Sequence, residues 1–122
     1  TGNTEFMDAL AETLEQQGKP DEAKAMVARA RAAYDERLKQ FPEATWGHAL
    51  DHWLRWEDPA EALEMAEKNH KNRPNGDAKL ALARALAKVG RVDEARKVVA
   101  EVQASPFNTP EVAELAAELK AR

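Results

Sequence analysis

The stretches "GKPDEAKAMV" (residues 18–27) and "GRVDEARKVV" (residues 90–99) are nearly the same ten residues written twice, 72 positions apart. Each reads as the end of one helix, a tight turn and the start of the next. Gly18 and Gly90 are suited to the left-handed conformation that closes a helix. Asp21-Glu22 and Asp93-Glu94 place negative charge in the first turn of the helix that follows, where the helix dipole favours it. Ala23 and Ala95 then stand where two helices come close and a larger side chain would collide. A weaker third copy, "EDPAEALEMA" (residues 57–66), puts Ala62 at the same place. The three alanines are 39 and 33 residues apart. A period in the mid-thirties is the mark of stacked helix pairs. A single pair cannot bury its apolar face alone, and several pairs in a row share one core.

Working outward from these joins, the breakers Gly18 with Pro20, Pro42, Pro59, Pro74 to Gly76, Gly90, Pro106 and Pro110 cut the chain into pieces of helical length. Ala, Leu, Glu, Lys and Arg dominate between them, all good helix formers. The pieces carry helical periodicity: Met7, Leu10, Ala11 and Leu14, and again Trp46, Ala49, Leu50 and Trp53, fall at i, i+3, i+4 and i+7. Val27, Ala30, Tyr34, Leu38 and Phe41 continue one apolar stripe through a long second helix, with the Tyr34 hydroxyl at the edge of the core. Leu82, Leu86 and Val89 mark one face of a later piece, and Leu80, Ala83 and Ala87 another, so that helix sits inside the stack. Thr109 is suited to cap the last piece, with Pro110 in its first turn and Glu111 complementing its positive end. These signals predict seven helices, at 4–17, 20–40, 45–56, 59–72, 77–89, 92–104 and 109–121. Joins of a few residues make consecutive helices antiparallel neighbours. The fold class is therefore all-α.

The bulk numbers narrow the function. With 122 residues, 43% of them apolar and a third charged, the chain suits one folded domain. The net charge is −4, and only residues 77–108 are basic, with 6 basic against 4 acidic side chains. That balance offers no general attraction to a phosphate backbone and argues against a nucleic-acid partner. There is no cysteine, which removes disulfides, thiolate metal ligands and a cysteine nucleophile, and leaves the compartment open. No apolar run approaches the ~18 residues that cross a bilayer, so membrane insertion is not expected. The chain opens "TGNTEF" without an initiator methionine, which points to a piece of a longer protein.

The combination resembles the tetratricopeptide repeat family, whose unit is a helix–turn–helix of about 34 residues. In a first unit, about 4–42, Leu10, Ala11, Leu14, Gly18, Ala23, Val27 and Ala30 match the family pattern. In a second, 43–76, Trp46, Trp53, Ala62 and the closing Pro74 match. In a third, 77–108, Leu82, Ala83, Leu86, Gly90, Ala95, Val99 and Val102 match, and 109–121 is similar to the family's solvating cap. Two departures stand in the second unit, Glu57 where the turn glycine belongs and Leu50 where a small residue belongs; the first unit's second helix is about five residues too long. The resemblance implies a right-handed α-solenoid of three helix pairs and a capping helix. It implies a protein–protein interaction scaffold whose first helices line a concave groove for a peptide or helix.

By the same resemblance the groove wall would carry Glu5, Asp8, Glu12 and Glu15, then His48, Asp51 and Arg55, then Asp77, Arg84 and Lys88, running from acidic to basic. Chaperone-binding members hold a C-terminal carboxylate with Lys, Asn and Arg. The corresponding residues here are Asp8, Glu12, His48, Asp77 and Ala81, so no carboxylate clamp is expected. A peptide with a basic segment facing residues 5–15 and an acidic one facing Arg84 and Lys88 suits this wall. The other reading is structural: the module extends a longer array, or joins copies of itself through its end helices into a homo-oligomer.

The remaining polar features have plainer readings beside functional ones. On a helical wheel His48, Asp51, His52 and Arg55 share an arc opposite Trp46, Ala49, Leu50 and Trp53. His48 and His52, four apart, are weak candidates for a metal pair, but Ala49 stands where a zincin carries Glu, and a third ligand must come from elsewhere. A polar helix face with a His–Asp hydrogen bond is the simpler account, so neither a metal nor another cofactor is expected. Trp46, Trp53 and Trp56 read as core filling, with Trp56 a possible interaction anchor. No phosphate loop, dinucleotide glycine motif or nucleophile elbow occurs, and nothing selects a carboxylate pair as acid and base, so the chain does not read as an enzyme.

Overall fold

The computed structural model describes residues 4–122. Seven α-helices follow one another among the described residues: α1 Thr4–Gln16, α2 Pro20–Gln40, α3 Pro42–Trp56, α4 Pro59–Asn72, α5 Gly76–Lys88, α6 Val92–Gln103 and α7 Pro110–Lys120. Every helix expected from the sequence is present. The one substantial shift is at α3, which begins at Pro42 instead of 45. Proline has no amide hydrogen to lose in a first helical turn, and its fixed φ suits that position. Pro42 therefore opens α3, as Pro20, Pro59 and Pro110 open α2, α4 and α7.

The two copies of the opening stretch fold alike. Gly18 has φ +75° and Gly90 φ +87°. At the first join the Lys19 amide donates to the Leu14 carbonyl at 2.9 Å and the Gly18 amide to Glu15 at 3.1 Å. At the second the Arg91 amide donates to Leu86 at 2.9 Å and the Gly90 amide to Ala87 at 3.1 Å. This paired pattern satisfies carbonyls that the ending helix leaves open, and it needs the left-handed residue. The turn after α3 lacks that glycine and starts α4 differently, with the Asp58 carboxylate accepting from the Ala60 amide at 2.9 Å. Asn75 caps α5 in the same way, accepting from Ala78 at 2.8 Å. Thr109 stands at the cap position of α7, but its hydroxyl makes no capping bond; its carbonyl receives the Val112 and Ala113 amides instead.

The chain divides into two compact units, one ending at Thr45 and one spanning Trp46–Arg122. In the first, α1 and α2 pair through Ala11, Ala23, Ala30 and Tyr34, all buried. The Tyr34 hydroxyl donates to Asp8 at 3.4 Å. Burial pushes the Tyr34 phenol above its ordinary range, with a Thr4 hydrogen bond pulling the other way and the Asp8 charge adding to the rise. The expected stripe of α2 stops short of Phe41, which is 63% exposed. At 1.5 Å per residue the 21 residues of α2 outrun the 13 of α1 by about 12 Å, so its last turns have no α1 to cover them.

In the second unit α4 packs on α5, α5 on α6 and α6 on α7, in chain order. One core runs through them, with Leu50, Leu63, Leu80, Leu86, Val99, Val102, Val112, Leu115 and Leu119 as its larger members. Gly47 lies beside Asn69, and the Trp53 indole donates to Glu61 at 3.2 Å, so the start of α3 meets the end of α4 and the reverse. The two helices are thus antiparallel. Ala23, Ala62 and Ala95, at matching places in the three copies, are all buried, as a close-approach position requires. Phe107, in the join before α7, lies on the backbone of Gly76: a Cβ built there would come within 2.2 Å of its ring.

Candidate functional site

The second unit presents a cleft of about 330 Å³. Leu54 of α3 forms one side. Arg84, Ala87 and Lys88 come from α5, and Glu111, Glu114, Leu115 and Glu118 from α7. Helical spacing explains why α7 can serve core and cleft together. Val112, Leu115 and Leu119 repeat at i, i+3 and i+7 and are buried, while Glu111, Glu114 and Glu118 repeat the same spacing one residue earlier and project past them. Leu80, Ala83 and Ala87 likewise hold α5 in the core and turn Arg84 and Lys88 to the surface.

The cleft is apolar at Leu54, Ala87 and Leu115 and lined by opposite charges. The Glu111 carboxyl is held below the usual carboxylate range, first by its own backbone amide, next by Thr109 and least by the positive charge of Arg84. Arg122 closes one end: its guanidinium donates to the Ala87 carbonyl at 3.1 Å and pairs with Glu118 at 3.3 Å. Such a surface can bind a segment that presents both signs of charge around an apolar side chain.

Of the residues expected on the groove wall, the structure brings Arg84 and Lys88 together in this cleft. Asp77 is exposed on α5 eleven residues before Lys88, about 16 Å along the helix, and does not line the cleft. His48, Asp51 and Arg55 are exposed on α3 outside the lining, with the Arg55 guanidinium 4.1 Å from the centre of the Trp56 ring. Glu5, Asp8, Glu12 and Glu15 lie on α1 in the other unit.

His52 requires a correction. It does not share the exposed arc of His48, Asp51 and Arg55; its side chain is 0% exposed. Its Nε2 lies 2.7 Å from Glu57 Oε2, and its ring meets Trp53 edge-on with centroids 5.3 Å apart. The partner at this nitrogen is a glutamate. His48, by contrast, is exposed. Among the described residues no three histidine or carboxylate side chains converge to hold a metal ion.

Sequence reasoning did not place Glu111, Glu114 and Glu118 in the site, because α7 was expected only to solvate the end of the stack. Their i, i+3, i+7 spacing beside a buried Val–Leu–Leu stripe was the available signal.

A family model described as tetratricopeptide repeat matches residues 56–119, more than half of the chain. The chain belongs to the tetratricopeptide repeat family. A second model with the same description matches residues 6–29, so a repeat signature occurs in both units. A comparison with curated proteins finds no match. Tetratricopeptide repeats generally mediate protein–protein interaction, and the family is typically a non-enzymatic scaffold. No helix among the described residues is long and apolar enough to cross a membrane.

Proposed function

We propose that this tetratricopeptide repeat chain is an interaction module that takes an extended peptide segment of a partner protein in the α3–α5–α7 cleft. The carrying observation is Arg84 and Lys88 facing Glu111, Glu114 and Glu118 across an apolar floor. Packed helices lie about 8–10 Å apart, the span of about three residues of extended chain. The favoured segment therefore carries an acidic residue for Arg84 and Lys88. A basic residue about three positions away meets the α7 glutamates, and an apolar side chain between them rests on Leu54 and Leu115. This replaces an acidic-to-basic gradient along the whole wall with alternation inside one cleft.

A carboxylate clamp is not expected, because the family's clamp positions carry Asp8, Glu12, His48, Asp77 and Ala81, and the cleft's own cations stand beside carboxylates. Nucleic acid is not the partner, since the net charge is −4 and the cleft's cations already face carboxylates.

Peptides selected from a random display library against the 122-residue chain test this. The reading expects enrichment of the acidic–apolar–basic pattern, and loss of at least about tenfold in affinity on Arg84→Glu with Lys88→Glu while helical circular dichroism persists. Unchanged affinity in that double variant contradicts it.

A further inference from the structure

A second surface of the Trp46–Arg122 unit lies away from the charged cleft, on α6 and α7. Val99, Ala116, Ala117 and Leu119 line a depression of about 420 Å³, and Arg96 and Lys120 border it. Its lining contains two cations, of which Arg96 also pairs with the exposed Asp93 at 3.0 Å. Arg96 is fixed there by donating to the Leu119 carbonyl at 2.7 Å, which satisfies the end of α7. Within this unit each of α4, α5 and α6 is covered by the next helix, and no further helix of the unit covers this α6–α7 face. Small side chains at Ala116 and Ala117 would let a helix approach closely.

A matching surface stands on α1. Phe6 is 66% exposed, and Ala9 and Thr13 continue its stripe at i+3 and i+7, both exposed. The Thr13 hydroxyl donates to the Ala9 carbonyl at 3.0 Å and so presents less polarity along that stripe. On the flank between that stripe and α2 run Glu5, Asp8, Glu12 and Glu15, also at helical spacing, with Asp8 accepting from the Tyr34 hydroxyl, and α1 contains no Lys or Arg. An aromatic anchor on a small-residue stripe, flanked by acid, complements a small-residue depression flanked by Arg96 and Lys120.

We infer that the α6–α7 depression is a self-association site that takes α1 of a second copy of this chain, with Phe6 seated on Ala116 and Ala117 and the acidic stripe against Arg96 and Lys120. The two surfaces differ, so the contact is head-to-tail. Each assembly leaves one head and one tail unused, and growth is open-ended rather than limited to a pair.

Sedimentation velocity on the 122-residue chain over a concentration series tests the site. The weight-average mass rises continuously with concentration at low salt and falls back at high salt. Phe6→Glu and Ala117→Glu, both at exposed positions, each weaken association by at least about tenfold, the loss expected of an anchor contact. Mixed in equal amounts, the two variants restore a heterodimer and nothing larger, because one intact head and one intact tail remain between them. That rescue also shows that both variants are folded. A wild-type chain that stays monomeric throughout, an assembly that stops at a dimer, a variant that still associates alone, or a mixture that restores nothing overturns the proposal.

Discussion

The two units share their turn chemistry and differ in what stands behind it. Gly18 and Gly90 close α1 and α5 with the same two hydrogen bonds, and Ala23 and Ala95 bury at the same place beyond them. Behind the first turn lies one helix pair whose buried side chains are mostly alanine, with Tyr34 as the large exception. Behind the second lies a core of leucine and valine running from Leu50 to Leu119. Local sequence sets the turn in both. The depth of the core follows from how many helices are stacked, because each added helix covers a face its predecessor leaves bare.

The sharpest way to break this comparison is to remove core volume. Leu86→Ala or Leu119→Ala in the second unit should cost about 2–5 kcal/mol in denaturant unfolding. Leu10→Ala or Leu14→Ala, at half-buried positions of α1, should cost clearly less. Equal losses in the two units would remove the distinction. Next in size is Gly76→Ala, whose new methyl collides with the Phe107 ring and should cost about 1–3 kcal/mol. A second change, Phe107→Ala, should return part of that loss, and a strictly additive pair would show that the ring does not press on Gly76.

Gly18→Ala and Gly90→Ala probe the shared feature. Neither added Cβ meets a neighbour within 4 Å, so each substitution reports backbone conformation alone. About 1–2 kcal/mol is expected at both joins, and unequal values would mean that the two turns are not equivalent. The smallest effect is on pH dependence and belongs to the first unit. Tyr34 is the only tyrosine, and its phenol is raised from 10.0. A group whose folded pKa lies above its unfolded value contributes stability that is full below the unfolded value and lost as pH rises through the folded one. Stability should therefore fall as pH rises above about 10, and Tyr34→Phe should remove that part of the fall. A persistent fall of the same size in Tyr34→Phe would assign it elsewhere.

Much of the fold was legible because prolines, glycines and apolar spacing act locally. Seven helices and the equivalence of Ala23, Ala62 and Ala95 follow from signals within a few residues of each other. What escaped depended on neighbours distant in sequence. Phe41 continues the stripe of α2 correctly, but α1 is too short to cover it. His52 is polar and was assigned to the outer arc by polarity, whereas Glu57 makes its burial tolerable by pairing with it. Arg84 and Lys88 were legible as a basic patch. The carboxylates opposite them are regularly spaced in "TPEVAELAAELKAR", but that spacing alone does not say which flank of α7 meets α5.

The claim on which the functional account rests is that the α3–α5–α7 cleft holds the partner segment. The most direct measurement is a backbone-amide NMR titration of the chain with a display-selected peptide. The account predicts that the largest shift changes fall at Arg84, Lys88, Glu111, Glu114 and Leu115 and vanish in the Arg84→Glu, Lys88→Glu variant. Shift changes concentrated on the α6–α7 face or on α1, with the cleft unmoved, would contradict it.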